Sequence, residues 1–286
     1  MLLKRVLTAV VLLPPAVAAI LFLDVRGLAI VFGSIGVLAA WEWAALCGIT
    51  ARAGRMFYVV VVAAMLSMLL SMLGFLGANA TAGCDASCAS GALRALLIAD
   101  AIWWALALTW IIRYPDGFSA QRPSTAWRAA LGLLVIPAAI VGLLSARAST
   151  LATGGLLTVF ALVWAADIAA YFAGRAFGRR KLAAQVSPGK SWEGFVGGMM
   201  GALLVGIGAG IYLLPAPRPW AMWLLLCIFV AAISVVGDLT ESLLKRLVGI
   251  KDSGRLLPGH GGILDRIDSL LAAAPMMALG LVLLNR

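Results

Sequence analysis

Long apolar stretches separated by short polar interruptions dominate the chain from end to end. A helix needs about 20 residues to cross ~30 Å of hydrocarbon at about 1.5 Å per residue. Nine stretches approach that length, at roughly 6–23, 28–47, 57–77, 91–112, 129–146, 151–173, 194–214, 220–240 and 265–285. None alternates polar with apolar as a barrel strand does, so each span must satisfy its own backbone hydrogen bonds as a helix. The pattern predicts an all-α, polytopic integral membrane protein with about nine transmembrane helices. Pro14-Pro15 predicts a kink in the first span. No small-residue cleavage site follows it, which argues against a removable leader.

Composition agrees with this reading and excludes others. Of 286 residues, 63% are hydrophobic and 12% charged, with mean hydropathy +1.05; soluble domains carry roughly 45–50% and about 25%. A soluble globular domain and a disordered chain are both excluded. Four cysteines in a chain of this length make no disulfide scaffold, and with His260 as the single histidine a structural zinc site is not expected. No internal repeat of the kind found in many transporters is visible.

The net charge of +10 gains meaning once the nine spans are threaded alternately through a bilayer. With the N-terminus in the cytoplasm, seventeen of the 22 Lys and Arg residues fall on the cytoplasmic face and five on the other. A nucleic-acid partner is not implied; the charge sets topology and meets anionic lipid or nucleotide. Cys84 and Cys88 then share the outer loop, where they either pair in an oxidising compartment or stay a local inert pair. Residues 1–150 read as scaffold spans with a possible dimer surface, and residues 151–286 as the catalytic half.

Seven of the twelve acidic residues approach the cytoplasmic face: Asp167, Glu193, Asp238, Glu241, Asp252, Asp265 and Asp268. A carboxylate at the bilayer centre costs about 2.5–3.5 kcal/mol, so a cluster of them calls for a compensating cation or a water-filled cavity, and a divalent metal is the economical choice. Asp238/Glu241 and Asp265/Asp268 are each spaced i,i+3, which puts both members on one helix face. Hard oxygen ligands with no His or Cys beside these pairs favour Mg²⁺ or Mn²⁺ over zinc. Asp167 on the sixth span joins them as a candidate ligand.

Basic residues interleave with the acids. Lys245, Arg246, Lys251, Arg255 and Arg266 surround Pro258-Gly259-His260-Gly261-Gly262, whose glycines let backbone N–H groups approach an anion. Metal, basic side chains and a glycine turn together suggest a polyphosphate site. Upstream, Ser187-Pro188-Gly189-Lys190-Ser191 contains Gly-Lys-Ser but has Ala184 where a P-loop needs glycine. It reads instead as a loop in which Lys190 and Ser191 contact phosphate while Ser187 and Pro188 shape the turn. Tyr171 shares a helix face with Asp167, as an interfacial anchor or a substrate contact. Gly197, Gly201, Gly206 and Gly210 are expected to allow close helix packing.

From Ser242 to Asp268 the chain reads SLLKRLVGIKDSGRLLPGHGGILDRID, which resembles the signature of the phosphatidate cytidylyltransferases: S-x-x-K-R, four residues, K-D, then P-x-H-G-G-x-x-D-R-x-D. The D-x-x-A-Y-x-x-G-R-x-x-G segment at 167–178 and S-P-G-K-S-x-E-G at 187–194 resemble motifs of the same family. The resemblance implies transfer of a cytidylyl group from CTP to phosphatidate, in a homodimeric enzyme of the bacterial inner membrane. It implies Mg²⁺ as cofactor, with K⁺ as a second cation. Carried over by position, Asp238, Asp265 and Asp268 surround the metals, with Asp167 a further ligand, and Lys245, Arg246 and Arg266 meet the phosphates. Lys251, Asp252 and His260 join Asp265 and Asp268 as candidate catalytic residues; Lys190, Ser191, Ser187 and Tyr171 are candidate substrate contacts. Two rivals share some of these features: a CTP-dependent lipid kinase of the dolichol-kinase type and an anion transporter. A CDP-alcohol phosphotransferase is disfavoured, because Asp116-Gly117 continues as Phe-Ser-Ala.

Overall fold

A computed structural model describes residues 14–76, 91–115, 123–215, 219–254, 256 and 261–284. The described chain runs through α1 (14–22), α2 (Val25–Leu46), α3 (Arg52–Met72), α4 (Gly91–Arg113), α5 (Thr125–Ala148), α6 (Ala152–Phe177), α7 (Trp192–Leu213), α8 (Trp220–Leu247) and α9 (Leu264–Leu284). Eight of these, α2 to α9, are long and apolar enough to cross a membrane, so the protein is a nearly all-α polytopic membrane protein. Residues 1–13 lie outside the described residues, and with them the kink expected in the first span; Cys84 and Cys88 lie outside them too.

One departure from the sequence reading stands between α6 and α7. The expected loop is a small antiparallel hairpin, β1 (Lys181–Ala183) with β2 (Ser187–Ser191), whose partners are Lys181↔Ser191 and Ala183↔Ser187. Backbone groups leaving the bilayer pair with each other there, and Pro188 is tolerated because the two-stranded sheet has only edges. Trp192 N–H donates to Arg180 O at 2.9 Å and closes the base of the hairpin. Glu193 accepts from the N–H groups of Arg179 and Arg180 and ties the same base to α7.

Helix limits follow local chemistry. Asp24, Ser124 and Ser191 cap α2, α5 and α7 by accepting from the N–H three residues on. The apolar stretch 220–240 ends before α8 does, because helix propensity continues through Glu241, Lys245 and Arg246 after the hydrocarbon-length segment is spent. At its end Gly249 takes φ +72°, and Ile250 N–H returns to Lys245 O at 3.0 Å, which turns the chain sharply into the next loop.

Helices α5 and α9 form the interior: 72% and 61% of their most apolar windows are buried, against 22% in α3 and α7, which face outward. Helices α6 and α7 pack most closely of all. A Cβ on Gly197 or Gly201 would strike Ala173 or Ala169 of α6, and one on Gly206 or Gly210 would press on Cys227 or Trp220 of α8. The packing role expected for these four glycines is what the structure shows.

One end of the bundle is laced together by polar contacts. Arg128 Nη1 donates to Leu46 O, Trp43 Nε1 to Arg128 O and Tyr58 Oη to Ala129 O. The C-terminal end of α2 therefore meets the starts of α3 and α5, and through Glu42 the start of α9, as alternate threading requires.

Candidate active site

At that laced end, α8 and α9 bring their acids together. A Cβ on Gly237 would lie 2.6 Å from Asp268 O, so the glycine lets the α9 backbone sit directly against α8. Asp238 and Glu241 of α8 then share one space with Asp265 and Asp268 of α9. Lys245 Nζ donates to Asp265 Oδ1 at 2.8 Å and stands 3.3 Å from Glu241 Oε1.

Asp265 is held firmly. Besides Lys245 it accepts from Ser253 N–H at both oxygens, at 3.2 and 3.1 Å, and from Gly262 N–H at 2.8 Å. These four contacts occupy the lone-pair positions of one carboxylate. Asp268 is engaged less fully, accepting from Ser269 N–H at 2.7 Å. Neither oxygen of buried Glu241 accepts a hydrogen bond among the described residues.

The hairpin delivers a second lysine. Lys190 forms an ion pair with Asp238, and both lie within electrostatic reach of Asp167 and Asp268. Beside this pair opens a cavity of about 330 Å³ whose lining includes Asp167, Tyr171, Arg175, Lys190, Ser191 and Phe195. Tyr171 is exposed and its hydroxyl meets Arg175 Nη1 at 3.3 Å. The cavity thus joins a charged wall to an aromatic, outward-facing rim.

Other candidates from the sequence take varied positions. Ser191 lines the cavity while its Oγ caps α7 and fits among Gly174, Gly178 and Gly194. Ser187 begins β2 opposite Ala183. Arg246 Nε donates to Val186 O at 3.3 Å and fastens the hairpin to α8. Arg266 is exposed on the first turn of α9, and Lys251 and Asp252 are exposed on the loop before it. His260 lies outside the described residues.

Three contributors escaped the sequence reading. Arg175 of the G-R-x-x-G segment lines the cavity. Ser253 supplies an N–H to Asp265 and a hydroxyl to Glu42. Glu42, from the half expected to be scaffold, accepts from Ile263 and Leu264 N–H at the start of α9. Its buried position in an apolar helix was the available signal, since an unpaired carboxylate there would be costly.

The donor set can be tested for a cation. Among the described residues no three Asp, Glu, His or Cys are gathered closely enough to cage a metal as they stand. Lysine ammonium groups already sit on Asp238 and Asp265. Yet Asp167, Asp238, Glu241, Asp265 and Asp268 converge on one end of the bundle, and neither oxygen of buried Glu241 accepts an aligned hydrogen bond although Lys245 stands beside Oε1. Hard oxygen donors of this kind suit Mg²⁺.

Comparison with known proteins places these features in a lineage. The model of a family described as the cytidylyltransferase family matches residues 3–284. A Pseudomonas aeruginosa protein named phosphatidate cytidylyltransferase is 42% identical over 281 residues, covering 97% of this chain and 96% of that one. A Haemophilus influenzae protein of the same name is 38% identical over 293 residues, covering 97% and 98%. One from Bacillus subtilis is 45% identical over 128 residues, covering 43% of this chain and 46% of its own.

Proposed function

The chain belongs to the cytidylyltransferase family, and from that premise we propose that it transfers the cytidylyl group of CTP to phosphatidate, giving CDP-diacylglycerol and pyrophosphate for phospholipid biosynthesis. The observation that carries the reading is the cavity of about 330 Å³, lined by the charged Asp167, Arg175 and Lys190 and by the aromatic Tyr171 and Phe195, with Lys190 paired to Asp238. A lipid phosphate can enter past the aromatic rim while a nucleotide arrives at the charged end of the bundle.

The reaction needs no strong base. A phosphate oxygen of phosphatidate, already anionic, attacks the α-phosphorus of CTP; the new P–O–P bond forms as the α–β anhydride breaks and pyrophosphate leaves. What the protein must supply is alignment and screening of two anions that repel each other. Lys190, Lys245, Arg246 and Arg266 supply the positive charge, with Arg175 at the rim and Lys251 on the loop. Asp265 fixes Lys245 and the loop amides; Ser191 holds the start of α7 against the cavity.

Asp167, Asp238 and Asp268 would hold Mg²⁺, with Asp265 beside them. When bound, Mg²⁺ supplies charge neutralisation on the nucleotide phosphates. The seventeen-to-five distribution of basic residues supports a site on the cytoplasmic side, and the bacterial relatives support the inner membrane. A homodimer fits the outward apolar groove between α2 and α3, lined by Ala29, Gly33, Val37, Ala63 and Ser67.

Purified protein given phosphatidate and CTP labelled in the cytidine should convert the label to a liponucleotide and release pyrophosphate, with strict dependence on Mg²⁺. Release of labelled CDP with a phosphorylated lipid would instead indicate a CTP-dependent kinase and overturn the reading.

A further inference from the structure

Glu42 lies in α2, far in sequence from the signature segment, and is 2% exposed. Its Oε2 accepts from Ser253 Oγ at 3.0 Å and from Leu264 N–H at 2.8 Å, and its Oε1 accepts from Ile263 N–H at 3.1 Å. A Cβ on Gly254 or Gly262 would collide with the same carboxylate. Ser253 and Gly254 after α8 and residues 262–264 at the start of α9 are therefore gathered around one side chain from a distant helix.

The contacts interlock with those of Asp265. Ser253 turns its hydroxyl to Glu42 and its N–H to Asp265; Gly262 N–H goes to Asp265 while the next two N–H groups go to Glu42. The first N–H groups of a helix lack intrahelical partners, and negative charge is favoured beside them. Glu42 meets both needs for α9. The continuous buried body of α9 runs from Ser269 to Ala278, beyond these contacts, so what Glu42 holds directly is Ser253, Ile263 and Leu264, next to the groups that hold Asp265.

We propose that Glu42 is a positioning residue for cytidylyl transfer: it sets the Ser253 loop and the start of α9 so that Asp265, and Lys245 with it, face the substrates. The proposal rests on the reaction assigned above. It gives the N-terminal half a direct part in the site, beyond scaffold.

The test uses the full chain in lipid nanodiscs, with turnover per folded enzyme and hydrogen exchange as separate readouts. Glu42→Gln keeps the size but places an amide NH₂ against N–H donors. It should speed exchange in 251–266 alone and lower kcat by about 10–100-fold, the range seen for supporting groups of a site, with the KM for phosphatidate unchanged. Glu42→Asp, which keeps the charge, should restore part of the rate. Gly254→Ala presses on the carboxylate from the loop side and should reproduce the slower turnover.

Full turnover in folded Glu42→Gln overturns the proposal, as does a loss that merely follows the folded fraction. If Glu42→Gln does not fold, a folded and fully active Gly254→Ala overturns it; failure of both to fold assigns Glu42 to stability and does the same. Absence of CDP-diacylglycerol formation by the unaltered protein would instead sink the reaction itself, a result separable from any behaviour of the variants.

Discussion

Asp265 and Asp268 stand three residues apart on α9, yet their surroundings differ. Asp265 is saturated by Lys245 and two backbone N–H groups, whereas Asp268 has one N–H and faces Asp238 and Glu241. Replacing either by Asn should lower Mg²⁺-dependent turnover by about 100-fold or more, equivalent to ~2.7 kcal/mol in the barrier. Hydrogen exchange should separate them. Asp265→Asn puts an NH₂ where N–H groups need an acceptor and should loosen 251–264, while Asp268→Asn should leave that segment protected. More than about a tenth of normal turnover in both variants would refute the assignment of these acids. The pairing of Asp265 with Asp268 by i,i+3 spacing was legible in the sequence. Their unequal duties were not, because the donors to Asp265 come from Ser253 and Lys245, whose directions depend on how the loop folds.

At the scale of elements, α8 and α9 owe their approach to Gly237. Even an alanine there would meet Asp268 O at 2.6 Å, so the helices would have to separate. Gly237→Ala should cost about 1–3 kcal/mol, as overpacking does, and should lower turnover by widening the gap between Asp238 and Asp268. Gly208, with nothing within 4 Å of the corresponding position, is the control, and Gly208→Ala should leave both thermal stability in detergent and turnover unchanged. The small hairpin is the other element that matters, since it carries Lys190 to Asp238. Hydropathy marked 181–191 as a polar interruption but could not show that its backbone pairs with itself, because two short edge strands leave little periodic signal.

For the whole molecule, the excess of Lys and Arg at the joined helix ends predicts that this end faces the cytoplasm. With Cys84 and Cys88 replaced by serine, the remaining Cys47 and Cys227 are buried. Lys181→Cys on the hairpin should then react with an impermeant maleimide in inverted membrane vesicles and not in intact spheroplasts; the opposite pattern would reverse the orientation. The sequence by itself determined the membrane class, the placement of most spans, the charge bias and the signature from Ser242 to Asp268, since these depend on local composition and spacing. Tertiary structure alone decided which charges meet: Lys190 with Asp238, Lys245 with Asp265, and Glu42 with the start of α9. The reason is physical. Hydrocarbon demands long apolar helices wherever they lie in the chain, whereas a contact between residues 42 and 264 exists only after the helices have packed.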